Sequence, residues 1–318
     1  MEQIHELYNA GKPAAGTFFV TDNGEKTGKV SFENAGQAFF EDYTGTKLAG
    51  AYQSPKQAID AQQEVIDAQQ QAIYKAVGRY LPLTSLGTFA SGSDFQSWYT
   101  SSGLKADISS GAFQKALVGC EVTINGHAYY FAHPDYWLHT GDTECTTHHM
   151  LVVPAGNLSS GQMNSANITT GAYIGSDMYT GNNGNTALAD AKAIIRADFG
   201  AANILTHREN FPNAATDGYE SAGTWYDSDI DLMTERMVYG CDIYHNSVAG
   251  TITAYRYSID KSQLKLFAER PDLISTRSSW WLRDVANNSN FASIYSFGMP
   301  SRNGANASFG VRPAFAIC

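Results

Sequence analysis

Two motifs near the C-terminus constrain the fold of this chain more than any other feature. Residues 280–283 (WWLR) and 310–315 (GVRPAF) each combine large apolar side chains with one arginine. We predict that both motifs are buried and that Arg283 and Arg312 bond backbone carbonyls or carboxylates such as Asp227. Two buried motifs of this kind would hold both ends of the 26 residues between them, 284–309, here called the C-terminal interval.

The C-terminal interval has the composition of a binding surface. It consists mainly of Asn, Ser, Ala, Gly, Phe and Tyr, and its only ionisable residues are Asp284 and Arg302. Tyr and Phe provide contact area at low entropic cost, while Asn, Ser and Gly provide adaptable hydrogen bonds. Catalysis needs fixed ionisable groups, so this composition favours binding over chemistry.

Composition and charge narrow the class of protein. Apolar residues make up 43% of the 318 residues, enough for a large core, whereas charged residues make up only 16%. The net charge of −10 argues against nucleic acid as a partner, because that affinity depends on neutralising phosphates. We expect no signal peptide, because the first residues lack a basic region and an apolar region, and no apolar run reaches transmembrane length. We therefore expect synthesis in a cytoplasm, no secretion by the general route and no membrane insertion.

The N-terminal part is expected to dock and to oligomerise. Residues 1–54 are predicted to form a small β module with strands at 16–20 and 28–32 around an Asp-Asn-Gly turn. Residues 55–79 contain a seven-residue repeat with isoleucine at 59, 66 and 73, which is typical of a coiled coil. We expect this helix to form a homotrimer; a dimer, or packing of the helix on its own domain, are the alternatives.

Residues 80–318 are predicted to form one α+β domain. We expect a hairpin around Asn125-Gly126, a buried strand at 149–154, and helices at 187–199 and 229–239. Residues 280–282 and 310–317 should be neighbouring core strands. The four cysteines, which lack the close spacing of zinc or redox motifs, are expected to be free and mostly buried.

The C-terminal interval and the two motifs that flank it resemble the C-terminal end of C-type-lectin-fold proteins. They are most similar to the phage and prophage branch, whose C-termini are diversified by retroelements. Residues 173–179, 201–209, 225–227 and 235–240 are similar to the same phage structural group, so the resemblance spans roughly 120–318. It implies a C-type lectin fold without the calcium site of animal lectins. It also implies a virion protein, a tail or head fibre or receptor-binding protein, made in the host and released by lysis. In such systems mutagenesis acts at adenines of the template. The residue types found in the interval are those that the resulting codons encode.

The resemblance places a ligand surface on the interval. The predicted anchors are Phe291, Tyr295, Phe297 and Phe309, because aromatic residues and Arg dominate most interfaces. The full predicted set is Asp284, Asn287, Asn288, Asn290, Phe291, Ser293, Tyr295, Phe297, Met299, Ser301, Arg302, Asn303, Asn306, Ser308 and Phe309. The expected partners are a host cell-surface protein or glycan, a virion protein bound through the N-terminus, and two further copies of the chain.

Chemical alternatives have weaker support in the sequence. His133, His139, His148, His149 and His207, with Cys145, lack the tight spacing of zinc sites. Asp227, Asp229 and Asp231 lack the glycine and distal glutamate of an EF-hand loop. We therefore predict no catalytic residue, no metal ligand and no cofactor. Two alternatives stay open. One is a polysaccharide depolymerase on the same scaffold, whose candidate carboxylates cannot be placed from sequence: Glu209, Glu220, Asp227 and Glu235. The other is a structural capsid decoration protein.

Overall fold

The computed structural model describes residues 17–22, 26–31, 62, 63, 65, 66, 69, 84–112, 117–245 and 263–318. The chain divides into two compact units, Met1–Arg79 and Tyr80–Cys318. In the first unit, β1 (Thr17–Asp22) pairs antiparallel with β2 (Lys26–Ser31), as the predicted hairpin requires. Within the described ranges, no helix is long and apolar enough to cross a membrane.

The predicted coiled-coil helix lies only partly within the described residues. All five of these residues, 62, 63, 65, 66 and 69, are helical. Val65 and Ile66 are more than half exposed, at 56% and 52%. Exposed β-branched residues on a helix are compatible with a partner helix, but trimerisation stays a prediction.

The second unit is an α+β domain, as predicted, built on two larger sheets. The six-stranded sheet has the order β10-β15-β6-β5-β4-β3 and the five-stranded sheet the order β13-β12-β11-β14-β7, while β8 and β9 form a separate hairpin. The strands are β3 (Thr84–Phe89), β4 (Cys120–Ile124), β5 (His127–Pro134), β6 (Met150–Pro154), β7 (Ser159–Gln162), β8 (His207–Thr216), β9 (Tyr219–Ser228), β10 (Ile230–Leu232), β11 (Trp280–Val285), β12 (Asn290–Ile294), β13 (Pro300–Gly304), β14 (Ser308–Val311) and β15 (Pro313–Ile317).

Short helices cover these sheets. They are α1 (Gly92–Ser101), α2 (Leu104–Ser109), α3 (Asp177–Thr180), α4 (Ala187–Phe199), α5 (Glu235–Tyr239) and α6 (Lys265–Glu269), with 3₁₀ turns at Asn182–Gly184, Ala201–Asn203 and Pro271–Ile274. The helix predicted at 187–199 is α4, and Gly200 with φ +80° ends it. The hairpin predicted at Asn125-Gly126 joins β4 to β5, with positive φ at both turn residues.

Three apolar clusters fill the second unit, because several strands bury both faces. In β6, Leu151 and Val153 lie in one cluster, while Val152 packs with α1 and α4 in another. In β11, Trp280 and Leu282 pack with the first of these clusters, while Trp281 and Val285 pack into the third. Alternating side chains therefore connect the two sheets into one body.

Two predicted elements are wrong. Residues 229–239 are not one helix: β10 pairs with β15 through Asp231 and Ala314, and the helix begins only after Thr234, whose hydroxyl accepts from Met237 N. Apolar residues at 230 and 232 fit a strand as well as a helix. Residues 310–317 are also not one strand, since β14 neighbours β11 whereas β15 lies in the other sheet. The chain changes sheet at Arg312-Pro313, between the ends of β14 and β15.

Candidate binding face and acid–histidine cluster

The two motifs that bound the C-terminal interval are buried, as predicted. Trp280 and Trp281 have no exposed area and point to opposite faces of β11. The indole of Trp281 donates to Gly161 O at 2.9 Å, and that of Trp280 to Ile274 O at 3.3 Å. These bonds satisfy both buried ring nitrogens and fix the orientation of the strand from which the interval departs.

Arg283 holds the first end of the interval by a buried ion pair. Its guanidinium donates to Glu209 and lies 4.6 Å from the ring centre of Phe211. Burial alone would raise the pKa of Glu209, but the charge of Arg283 lowers it to about 2. The partner suggested from sequence, Asp227, is wrong for Arg283, since Asp227 binds Arg208 at 3.0 Å.

Arg312 holds the second end, and within the described ranges it pairs with no carboxylate. Its Nε donates to Pro154 O at 2.8 Å. The guanidinium carbon lies 5.0 Å from the ring centre of Trp280 and 5.4 Å from that of Phe267. Arg312 is fully buried between these two aromatic rings, so it connects the end of the interval to the motif at 280–283 that precedes it.

The interval itself folds into β12, β13 and β14, and its predicted ligand residues fall into three groups of accessibility. Six are exposed: Asn288, Phe297, Met299, Arg302, Asn306 and Ser308. Five are half-buried: Asn287, Asn290, Tyr295, Asn303 and Phe309. Four are buried: Asp284, Phe291, Ser293 and Ser301.

The buried group corrects the prediction. Phe291 was predicted to be an anchor but has no exposed area and lies in the same core cluster as Trp281. Ser293 accepts a hydrogen bond from Asn303 Nδ2 at 2.8 Å. It therefore supports a residue of the surface from below and is not itself part of the surface. Residue composition cannot separate the two faces of a sheet that is covered on both sides.

A rigid apolar tip joins β12 to β13. We use the name apolar tip for Phe297 and Met299, which are 67% and 49% exposed. Tyr295 N donates to Met299 O at 2.9 Å and Gly298 N donates to Tyr295 O at 2.8 Å, which closes the turn. Outside the turn, Tyr239 OH donates to Gly298 O at 2.9 Å. The ring of Phe297 stacks on Tyr295 with centres 5.8 Å apart, so the apolar side chains project from an ordered base.

The other exposed large hydrophobic residues of the second unit lie beside the interval too. Ile168 precedes Thr169, whose hydroxyl donates to Asn287 O. Tyr219 follows Gly218, which packs against Asn288 N. Ile243 precedes Tyr244, whose ring centre lies 5.5 Å from the guanidinium carbon of Arg302. Among the described residues of this unit, Ile168, Tyr219, Ile243, Phe297 and Met299 are all the large hydrophobics classed as exposed.

Asp284 belongs to a buried group here called the acid–histidine cluster: Glu220, His245 and Asp284. Their candidate ligand atoms all lie within 4.8 Å of one another. His245 Nε2 is 2.7 Å from Glu220 Oε2, and His245 Nδ1 is 3.7 Å from Asp284 Oδ1. Burial raises the pKa of Asp284 to about 7 although His245 opposes the rise. Burial lowers the pKa of His245, but the Glu220 carboxylate and other acids raise it to about 11.

Sequence reasoning missed this cluster because its members lie far apart in the chain and form no spaced motif. The histidines considered from sequence take other partners: His148 lies 2.8 Å from Asp135 Oδ2, and His149 bonds Trp137 N. Asp229 pairs with Lys192 and Arg196, and Asp231 accepts from Tyr173 OH. Within the described ranges, the acid–histidine cluster is the single group with ligand atoms placed for one ion.

A cavity of about 480 Å³ lies at a different place, beside the start of β8. It is lined by four threonines, by Cys145 and His207, and by the charged residues Glu144, Arg208 and Asp227. His207 Nδ1 is buried and finds no hydrogen-bond partner in the described part of the chain. Arg208 is already paired with Asp142 and Asp227, so the charged part of the lining is largely neutralised.

All four cysteines are free, as expected. Cys120 and Cys145 are buried, Cys318 is half-buried and Cys241 is exposed. Burial raises the pKa of Cys120 to about 11 and also raises that of Cys145. A thiol with a raised pKa is a poor nucleophile, so the position of Cys145 in the cavity does not favour covalent catalysis.

Comparison with protein-family models found no match, and searches of curated proteins and of solved structures found none either. Function is therefore inferred from the geometry of the binding face.

Proposed function

We propose that this chain is a phage fibre or receptor-binding protein with a C-type lectin fold, which binds a host-surface protein or glycan through its C-terminal interval. The apolar tip is the observation that carries the proposal. A soluble fold gains nothing from Phe297 at 67% exposure, whereas an interface gains most from a rigid aromatic residue. The exposed Arg302 and Asn288 add adaptable polar contacts elsewhere on the binding face.

The architecture around the tip supports this proposal. Both ends of the interval are held by buried arginines, and its strands pair with β11 and β7, which lie outside it. Substitution of exposed residues such as Asn306 or Ser308 changes the surface and leaves those supports in place. This is the property that a diversified binding site requires.

The tip is tested by replacing Tyr295 and Phe297 together with Ala. We expect adsorption of the purified chain to a panel of bacterial envelopes and printed glycans to be lost. The melting temperature should stay nearly unchanged, because surface truncations alter stability by only about 0.5 kcal/mol. The control is Leu86→Ala, on the edge strand β3 of the other sheet, which should leave adsorption intact. Unchanged adsorption by the double variant would show that the apolar tip is not part of the binding site.

Diversification of the interval is tested by sequencing its codons in a natural population together with the neighbouring DNA. We expect substitutions at adenine-derived codons, concentrated at the exposed positions, beside a near-copy template. An invariant interval with no template would favour a binder of fixed specificity or a decoration protein.

The depolymerase alternative has one structural observation in its favour, the cavity lined by Glu144 and Asp227. Incubation with host capsule distinguishes it from a binder: released oligosaccharide supports an enzyme, and binding without release supports the receptor-binding proposal.

A further inference from the structure

We propose that the acid–histidine cluster Glu220, His245 and Asp284 is a binding site for one divalent transition-metal ion such as Zn²⁺. The three residues come from β9, from the segment after α5 and from the end of β11. The site is distinct from the binding face and does not depend on the function proposed for it.

Backbone amides hold both carboxylates in the orientation that a site requires. Glu220 Oε1 accepts from Val285 N at 2.8 Å, and Asp284 Oδ2 accepts from Glu235 N at 2.6 Å. The second oxygen of each carboxylate is thereby directed towards His245. Bonds of this kind orient the ligands in known metal centres.

Glu235 fixes the position of the imidazole. Its Oε2 accepts hydrogen bonds from the backbone N–H groups of Ile243, Tyr244 and His245, at 2.8–2.9 Å. The backbone at His245 is therefore held by a carboxylate that is buried and saturated with donors. The three proposed ligands are thus each supported by a group outside the site.

Asp284 makes a more distant contact with the imidazole than Glu220 does. Asp284 is only 2% exposed, and its Oδ1 lies 3.7 Å from His245 Nδ1, beyond hydrogen-bond distance. A cation coordinated by this carboxylate would compensate its buried charge at closer range.

The charges also favour a divalent ion. Glu220, Glu235 and Asp284 are all at most 2% exposed, and Glu235 is compensated by its three amide donors. If a divalent ion displaces the proton that His245 shares with Glu220, its two charges balance those of the two remaining carboxylates. An imidazole with two carboxylates suits zinc or similar first-row metals, whereas calcium prefers oxygen ligands alone.

The experiment uses the full chain after treatment with chelator and dialysis. Calorimetric titration with ZnCl₂ should show one ion bound per chain. Thermal unfolding with zinc present should show a melting temperature raised by several degrees. The variants Glu220→Gln and His245→Gln each alter a proposed ligand. They should weaken zinc binding by at least about 10–100-fold, the loss typical when a residue that only orients a ligand is replaced. The matched control, His127→Gln, removes a histidine that pairs with Asp198 elsewhere and should leave binding unchanged.

X-ray absorption on the zinc-loaded wild-type chain provides a test that no variant can confound by misfolding. We expect ligands at about 2.0–2.2 Å, the distances of nitrogen and oxygen, with no sulfur at about 2.3 Å. Absence of stoichiometric uptake, a sulfur ligand, or equal binding by the two cluster variants would overturn the proposal. Loss of binding in His127→Gln would move the site elsewhere and overturn it as well.

Discussion

At the residue scale, the buried arginines determine how the binding face is held. Arg283 pairs with Glu209, and both residues are at least 96% buried, so neither charge is solvated when its partner is removed. Arg312 instead relies on Pro154 O and on aromatic rings. The two ends of the C-terminal interval therefore differ in one measurable respect: only the first is sensitive to acid.

We predict that acid weakens the fold through Glu209. Its pKa falls from the ordinary 4.5 to about 2, so its contribution is complete above pH 4.5 and is lost as the pH falls through 2. The shift corresponds to about 3 kcal/mol of unfolding free energy. Urea unfolding between pH 6 and 2 should show a flatter acid slope for Glu209→Gln than for the wild type.

The same variant should be less stable at neutral pH by about 3–5 kcal/mol, because the buried charge of Arg283 loses the carboxylate of Glu209. The double variant Glu209→Gln with Arg283→Met is the control, since it removes both charges. Recovery of part of the lost stability is expected in the double variant, and an unchanged acid slope in Glu209→Gln would contradict the assignment.

At the element scale, the packing around Gly310 explains why the second arginine motif begins with a glycine. It faces Asn157, and a Cβ at Gly310 would lie 1.9 Å from Asn157 Nδ2. Gly310 also pairs with Trp280 of β11 and with Ser160 of β7, so little displacement is available to β14. The glycine at the start of the motif is therefore what allows β14 to lie so close to Asn157.

We predict that Gly310→Ala destabilises the second unit by more than about 2 kcal/mol, because Asn157 must leave its position. Gly156→Ala is the matched control, since a Cβ there meets no atom within 4 Å. Thermal unfolding of the two variants should differ by several degrees. Equal melting temperatures would show that Asn157 moves without cost.

Local patterns predicted the elements that depend on local chemistry. The Asn125-Gly126 turn and α4 with Gly200 were predictable because turn residues and apolar periodicity lie within a few positions. The break at Thr234 was not, because residues 230–232 are strand through pairing with β15, more than 80 positions away. Exposure within the interval followed the same rule: Phe291 and Phe297 have the same side chain, but Phe291 lies in β12 and is buried, whereas Phe297 lies in the turn after β12 and is exposed.

At the scale of the whole molecule, the acid–histidine cluster is the part that sequence reasoning could not find. Its residues are brought together by β9, β11 and the segment after α5, which no single motif connects. The cavity beside β8 is similar, since Cys145 and His207 meet only in the folded chain. The suggested resemblance to lectin-fold proteins, over roughly 120–318, placed ligand residues in the C-terminal interval alone.

We also predict that the chain is a trimer in solution. Ile66 lies at one position of the heptad repeat and is 52% exposed in the single chain. Replacing it with Asp should yield monomers by light scattering, because a charge at this position is not tolerated between helices. The matched control, Ala68→Asp, adds the same charge outside the two core positions of the repeat and should retain the trimer. A trimer that persists in Ile66→Asp would place the interface elsewhere.

The consecutive tryptophans at the start of β11 have a consequence for how this protein evolves. Trp280 and Trp281 occupy opposite faces, so deleting or inserting one residue next to them would exchange the two core sets. The strand can therefore absorb changes of side chain but no change of length. Lineages that differ widely in this region should still have genes of equal length there, and a survey of related genomes would record substitutions without gaps.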